Sequence, residues 1–147
     1  MSYTQSFYHI IFSTKNRRPC LKEELREEIF KYIWGISKNK KCHLIRINGM
    51  NEHIHILVNL HSEVSLSSYV RDVKTSTSHW LKSHGLIKDF PGWQREYAAL
   101  SKNQSDLESV IHYIKNQQEH HKLITWEDEF KQILEKSKIK FDNKYLP

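Results

Sequence analysis

The chain has 147 residues, with 23 Lys+Arg against 17 Asp+Glu, a net charge of +6 and a pI near 9.3. That length suits a single domain, residues 1–147, ending in a C-terminal helix and tail from about residue 122, and the positive balance favours an anionic partner such as nucleic acid. Cys20 and Cys42 lack the C-x-x-C spacing of a zinc knuckle or a disulfide scaffold, and neither a signal pattern nor an 18-residue apolar run is present, so a soluble cytoplasmic protein with no membrane association is expected.

Ser6 to Ser13 is aromatic and β-branched and reads as a first strand, ended by the basic turn Thr14-Lys15-Asn16-Arg17-Arg18-Pro19. Leu21 to Ser37 carries apolar residues at 21, 25, 29, 30, 33 and 36, the stripe of an amphipathic helix, with Tyr32 and Trp34 read as packing residues. Cys42 to Gly49 alternates as a second strand, and Asn48-Gly49 signals a turn into a third, Asn51 to Leu60. Val64 to His84 reads as a second helix capped by Ser65, with an apolar face of Leu66, Tyr69, Val70, Val73, Trp80 and Leu81. After Phe90-Pro91-Gly92, Trp93 to Leu100 is expected as a fourth strand. Asn103 or Ser105 would cap a third helix running to about His121, and a shorter helix spans Trp126 to about Lys136. The order β-α-β-β-α-β-α-α fits an α+β fold of ferredoxin-like split β-α-β type, an antiparallel sheet with helices on one face. The other face would be left for a ligand, a partner subunit or the last helix.

Within the third strand, His53 and His55 alternate with Ile54 and Ile56. Residues two apart share a face, so the imidazoles project side by side, roughly 6.5 Å apart, while the isoleucines face a core. Such a pair on a rigid strand is a ready set of metal ligands, although a chain with 10 histidines can produce one such triplet by chance. Farther on, Tyr113 and Gln117 sit at i and i+4, on one face of the expected third helix, with Cβ atoms about 5–6 Å apart. A tyrosine hydroxyl can attack phosphorus to form a covalent phosphotyrosine, and an amide oxygen one turn away can help ligate a metal that polarises the phosphate.

Taken together, His53-Ile54-His55 on a strand and Tyr113-Ile-Lys-Asn-Gln117 on a later helix resemble the single-tyrosine HUH transposases of the insertion-sequence 200/605 group. The resemblance runs through Phe12 to Arg17, Leu66 to Leu81, Trp93 to Ser101, Gln117 to His121, Phe130 to Lys136, Phe141-Asp142 and Lys144-Tyr145-Leu146. It implies cleavage and rejoining of single-stranded DNA at hairpin-marked element ends. Tyr113 would be the nucleophile, leaving a 5′-phosphotyrosine and a free 3′-OH. His53, His55 and Gln117 would hold one Mg²⁺ or Mn²⁺. A homodimer is implied, in which the tyrosine helix of one subunit can serve the histidines of the other. Lys15, Arg17, Arg18, Arg46, Lys74 and Arg95 are the candidate DNA contacts, as a basic surface reading backbone and shape. The chain departs from the family pattern at Glu96 and Ala98, which flank Tyr97 where glycines are usual, and this bears on how freely the tyrosine helix moves.

Three other readings compete. A hairpin-binding regulator descended from such an enzyme would bind without cutting. A structural protein would use His53 and His55 to hold zinc. A replication-initiator or relaxase relative would share the chemistry, usually with further histidine ligands or added domains.

Overall fold

The computed structural model describes residues 2–142, so Lys144, Tyr145 and Leu146 lie outside the described residues. Four strands, β1 (Phe7–Ser13), β2 (His43–Gly49), β3 (His53–Asn59) and β4 (Ala98–Lys102), form one sheet in the order β2-β3-β1-β4, every neighbouring pair antiparallel. Helix α1 (Glu23–Asn39) joins β1 to β2, and α2 (Leu66–Ser83) joins β3 to β4. Beyond β4 come α3 (Leu107–Lys115), α4 (Gln117–His120) and α5 (Trp126–Lys136). This is the expected split β-α-β arrangement.

Strand alternation sorts the side chains into two layers. Ile10, Phe12, Ile54, Ile56 and Val58 point to one face and pack against Ile29 and Ile33 of α1 and Tyr69, Val70, Val73 and Leu81 of α2. His9, Ile11, His53, His55 and Leu57 point to the other face, beneath a second helical layer. There Ile11 and Ala98 meet Trp126, Phe130 and Leu134 of α5, while Leu57 meets Val110 and Ile114 of α3. The face left for a ligand, a partner or the last helix is thus covered by α3 and α5, and β3 is buried on both sides. Ser65 caps α2 as expected, its hydroxyl accepting from the Ser68 N–H at 3.1 Å. Tyr32 packs as expected, stacked on Trp80 at 4.3 Å, whereas Trp34 is 51% exposed beneath the Lys38 ammonium.

Three elements differ from expectation, each for a local reason. Asn48-Gly49 lies inside β2, and the chain reverses over residues 50–52, where the Met50 N–H meets the His53 carbonyl at 3.0 Å. Glycine is required at 49 because a Cβ there would lie 2.4 Å from the His53 carbonyl oxygen. The fourth strand begins at Ala98 rather than Trp93. The Lys74 ammonium draws the carbonyls of Gln94, Arg95 and Glu96 towards α2 (2.7, 3.2 and 3.2 Å), and the Trp93 indole N–H donates to Thr77 Oγ1 at 2.9 Å. Both tie residues 93–96 to the helical layer, so only the isolated bridge Thr14–Trp93 reaches the β1 side.

The third helix is also not continuous to His121. A 3-10 turn at Gln104–Asp106 leads into α3, and the helix breaks at Asn116, whose φ and ψ are −98° and 22°. The Asn48 amide donates to the carbonyls of Ile114 (2.8 Å) and Lys115 (3.3 Å), the acceptors that the next helical turn would use. No described helix is long and apolar enough to cross a membrane.

Candidate metal centre and nucleophile

The strand β3 presents His53 and His55 side by side with ring centroids 5.0 Å apart, both fully buried under α3, α4 and α5. Each ring is held from behind. The His53 imidazole stacks flat on the Trp126 indole (3.8 Å, 5°), and its Nδ1 lies 2.7 Å from Glu52 Oε1; with the proton on Nδ1, the Nε2 lone pair faces inward. His55 Nδ1 lies 2.8 Å from His9 Nε2, and His55 Nε2 is buried without a hydrogen-bond partner among the described residues. Burial, the dominant effect, lowers the His55 pKa to about 4 against the favourable Glu129 contact, and burial also keeps the His9 pKa well below its ordinary value. The His55 imidazole is therefore uncharged near neutral pH.

Two further acceptors converge on these nitrogens. Gln117 Oε1 lies 3.1 Å from His53 Nε2, its orientation set by its own Nε2, which donates to Glu129 Oε2 at 3.2 Å. Glu129 Oε1 lies 3.7 Å from His53 Nε2 and 3.5 Å from His55 Nε2. His53, His55 and Glu129 thus form a group whose ligand atoms all lie within 4.8 Å of one another. Adjacent ligands around a small octahedral divalent ion are about 3 Å apart, so these separations fit such an ion after small adjustments. Imidazole nitrogens with a carboxylate and an amide oxygen suit a borderline or hard divalent cation.

The breaking of the helix at Asn116 still leaves Tyr113 and Gln117 facing the same centre. The Tyr113 hydroxyl donates to Glu129 Oε2, and its ring lies 5.7 Å from that of His55. Glu129 is 1% exposed and also receives His121 Nε2 on Oε1 (3.0 Å) and His120 Nε2 near Oε2 (3.1 Å). Burial works to raise the Glu129 pKa, but the His121, His55 and Tyr113 contacts outweigh it and hold the carboxyl well below the usual range. Burial, followed by the Glu129 charge and hydrogen bond, pushes the Tyr113 phenol well above its ordinary value. The hydroxyl is a poor nucleophile beside the Glu129 carboxylate, and positive charge at the centre would relieve that.

Glu129, Glu52, His9, His120 and His121 were not anticipated as site residues. Glu129 had a readable signal: it falls within the apolar face of α5 formed by Trp126, Phe130, Ile133 and Leu134, where an unpaired carboxylate is costly. The basic candidates are dispersed. Lys15 and Arg17 lie in the turn after β1, where the Thr14 N–H bonds to the Glu52 carbonyl at 2.8 Å and Arg17 pairs with Glu127 at 3.4 Å, close to the centre. Arg18 donates to the Asp89 carbonyl at 2.7 Å, and Arg46 is half-buried on β2. Lys74 and Arg95 line an open groove of about 480 Å³ with Thr75, Ser78 and Lys82, on the α2 side of the sheet. Three carbonyls surround the Lys74 ammonium, so it holds the loop that carries Arg95.

Sequence and fold comparisons relate the chain to known proteins. The transposases for insertion sequence element IS200 of Salmonella typhimurium (strain LT2) and Salmonella typhi are each 27% identical to the chain over 123 residues, spanning 79% of both chains. A crystal structure of a protein described as a transposase from Deinococcus radiodurans R1 superposes with a TM-score of 0.63, covering 80% of this chain and 95% of that one at 20% identity. A REP-associated tyrosine transposase bound to a REP hairpin superposes with a TM-score of 0.64, covering 84% and 73% at 19% identity; these two show the shared fold. Residues 2–117 match the family described as "Transposase IS200 like", and the chain belongs to that family of transposases.

Proposed function

We propose that this transposase cleaves and rejoins single-stranded DNA at hairpin-marked element ends through a 5′-phosphotyrosine on Tyr113. The observation that carries the reading is that one buried carboxylate, Glu129, receives the Tyr113 hydroxyl on one oxygen and faces both His53 and His55 Nε2 with the other. A nucleophile and a cation site separated by one carboxylate is the arrangement that phosphoryl transfer needs.

In this reading His53, His55, Gln117 and Glu129 hold one Mg²⁺ or Mn²⁺. When bound, that ion supplies positive charge to the non-bridging oxygens of the scissile phosphate. The Tyr113 oxygen attacks phosphorus as its hydroxyl proton is lost to water, with Glu129 Oε2 orienting the hydroxyl through the bond it already accepts. The P–O3′ bond breaks and the 3′ oxygen leaves as a hydroxyl after taking up a proton. Rejoining is the reverse displacement by another 3′-OH, so the phosphodiester energy is conserved. The solved relative bound to a REP hairpin supports a hairpin substrate. Lys15, Arg17, Arg18, Arg46 and Arg95 are proposed as phosphate contacts, with Lys74 acting by shaping the loop that carries Arg95. The protein would work in the cytoplasm as a homodimer. Tyr113 lies beside the histidines of its own chain, its ring 5.7 Å from that of His55, which suits a tyrosine acting within one copy. Exchange of the tyrosine helix between copies is the alternative.

The test uses single-stranded oligonucleotides spanning the DNA that flanks this gene, labelled at the 3′ end, with Mg²⁺ or Mn²⁺. A labelled protein band on a denaturing gel, lost in Tyr113→Phe and His53→Ala and without metal, is the expected result. Tight hairpin binding with no adduct on either strand would overturn it in favour of the non-cutting regulator.

A further inference from the structure

We infer that His9 is a positioning residue: by accepting the Nδ1 proton of His55 on its own Nε2, it selects the His55 tautomer whose Nε2 lone pair points at the metal centre. The inference rests on the reading of His55 as a metal ligand and goes one residue beyond it.

The contact admits two tautomers, and metal ligation by His55 Nε2 selects one of them. His9 and His55 are 4% and 0% exposed, and His9 Nε2 lies 2.8 Å from His55 Nδ1, so the two nitrogens share one proton. The other His55 nitrogen, Nε2, is buried with no hydrogen-bond partner among the described residues and faces Glu129 Oε1 at 3.5 Å. For Nε2 to offer a lone pair to a cation, the His55 proton must reside on Nδ1. His9 Nε2 is then the acceptor, and the His9 proton sits on its own Nδ1.

Strand register produces the contact. On β1, Ile11 lies opposite His55 and His9 opposite Leu57, so His9 is the diagonal neighbour of His55 on the same face. The two rings lie 5.1 Å apart at 28°, which restricts rotation of the His55 ring. The two metal-facing histidines are therefore backed differently, His53 by the Glu52 carboxylate and His55 by a neutral imidazole. Partners of this kind orient a ligand and raise its basicity, and their loss typically weakens metal binding about 10–100-fold.

The experiment measures Mn²⁺ affinity of the full chain by titration calorimetry for the parent, His55→Ala, His9→Phe and His9→Gln. Thermal unfolding confirms that each variant is folded at the titration temperature. Nitrogen-15 histidine spectra of the Mg²⁺-loaded parent and His9→Gln then report the His55 tautomer. The expected result is a Kd about 10–100-fold weaker in His9→Phe, recovery to within about threefold of the parent in His9→Gln, whose amide oxygen can accept the same proton, and an Nδ1–H His55 in both spectra. His9→Phe binding Mn²⁺ as tightly as the parent would overturn the inference, as would an Nε2–H His55 in the Mg²⁺-loaded parent. A purely structural His9 would lower the unfolding temperature and leave Kd unchanged. If His55→Ala also binds as the parent does, the metal-ligand reading itself fails. If only His9→Phe is silent, that reading stands and the inference about His9 falls.

Discussion

Replacing Gly49 with alanine puts a methyl group where the hairpin leaves no room. The new Cβ would lie 2.4 Å from the His53 carbonyl oxygen, 3.2 Å from Ile54 Cα and 3.3 Å from Ile54 Cγ1. Ordinary contacts of this kind lie beyond 3.4 Å, so β2 and β3 must separate by about 1 Å at this point. Two of the three atoms struck are backbone, which a rotamer change cannot move. Overpacking of a tight site costs about 1–3 kcal/mol, and separation also strains the Met50-to-His53 hydrogen bond of 3.0 Å. A lower unfolded-state entropy returns less than about 1 kcal/mol, leaving a net loss of about 2 kcal/mol. With a urea m-value of about 2 kcal/mol/M, the unfolding midpoint should fall by about 1 M at unchanged m. Because His53 moves with its carbonyl, Mn²⁺ affinity should fall in the same variant. A midpoint within about 0.2 M of the parent with unaltered Mn²⁺ affinity would refute the close-approach reasoning.

Other consequences are equally open to measurement. Folded His55 stays neutral down to about 4 while an unfolded histidine protonates near 6.5, so between those pH values the unfolded chain binds more protons and stability falls as pH falls. That gap corresponds to about 3 kcal/mol, with His9 adding in the same direction, and urea melts in EDTA at pH 7 and pH 4.5 should differ accordingly; equal midpoints would contradict the burial of neutral imidazoles. Asn48→Ala should release the carbonyls of Ile114 and Lys115, cost about 1 kcal/mol and let the helix run on through Asn116, seen as slower amide exchange at residues 117–119. Unchanged exchange there would mean that Asn48 does not cause the break. Lys74→Met should free residues 94–96 and speed tryptic cleavage after Arg95 in the native protein, whereas an unchanged cleavage rate would deny Lys74 its anchoring role.

Local periodicity carried most of the fold. The alternation through His53-Ile54-His55-Ile56 correctly sent the isoleucines to one layer and the histidines to the other, and the stripe of α5 appears with the expected bounds. The misread elements are those decided by contacts distant in sequence. Asn48-Gly49 has turn composition, but the asparagine is used to clamp a helix 66 residues away and the glycine to admit a carbonyl. Trp93 to Tyr97 has strand composition, but a lysine on α2 gathers its carbonyls. In the site, Tyr113 and Gln117 could be paired by helical spacing alone. Glu129 and His9 could not, because each joins the centre through packing between elements far apart in the chain. A carboxylate within an apolar helix face was the one local sign that such a partner existed.

The most direct test of the central claim is to locate the covalent bond. The chain would react with 3′-labelled single-stranded DNA from the flanking sequence in Mn²⁺, then be digested with nuclease and trypsin and analysed by mass spectrometry. The account predicts a residual nucleotide 5′-phosphate on the tryptic peptide 103–115, with fragmentation placing it on Tyr113. DNA cut to a free 5′-phosphate with no modified peptide, or a nucleotide on any other residue, would contradict it.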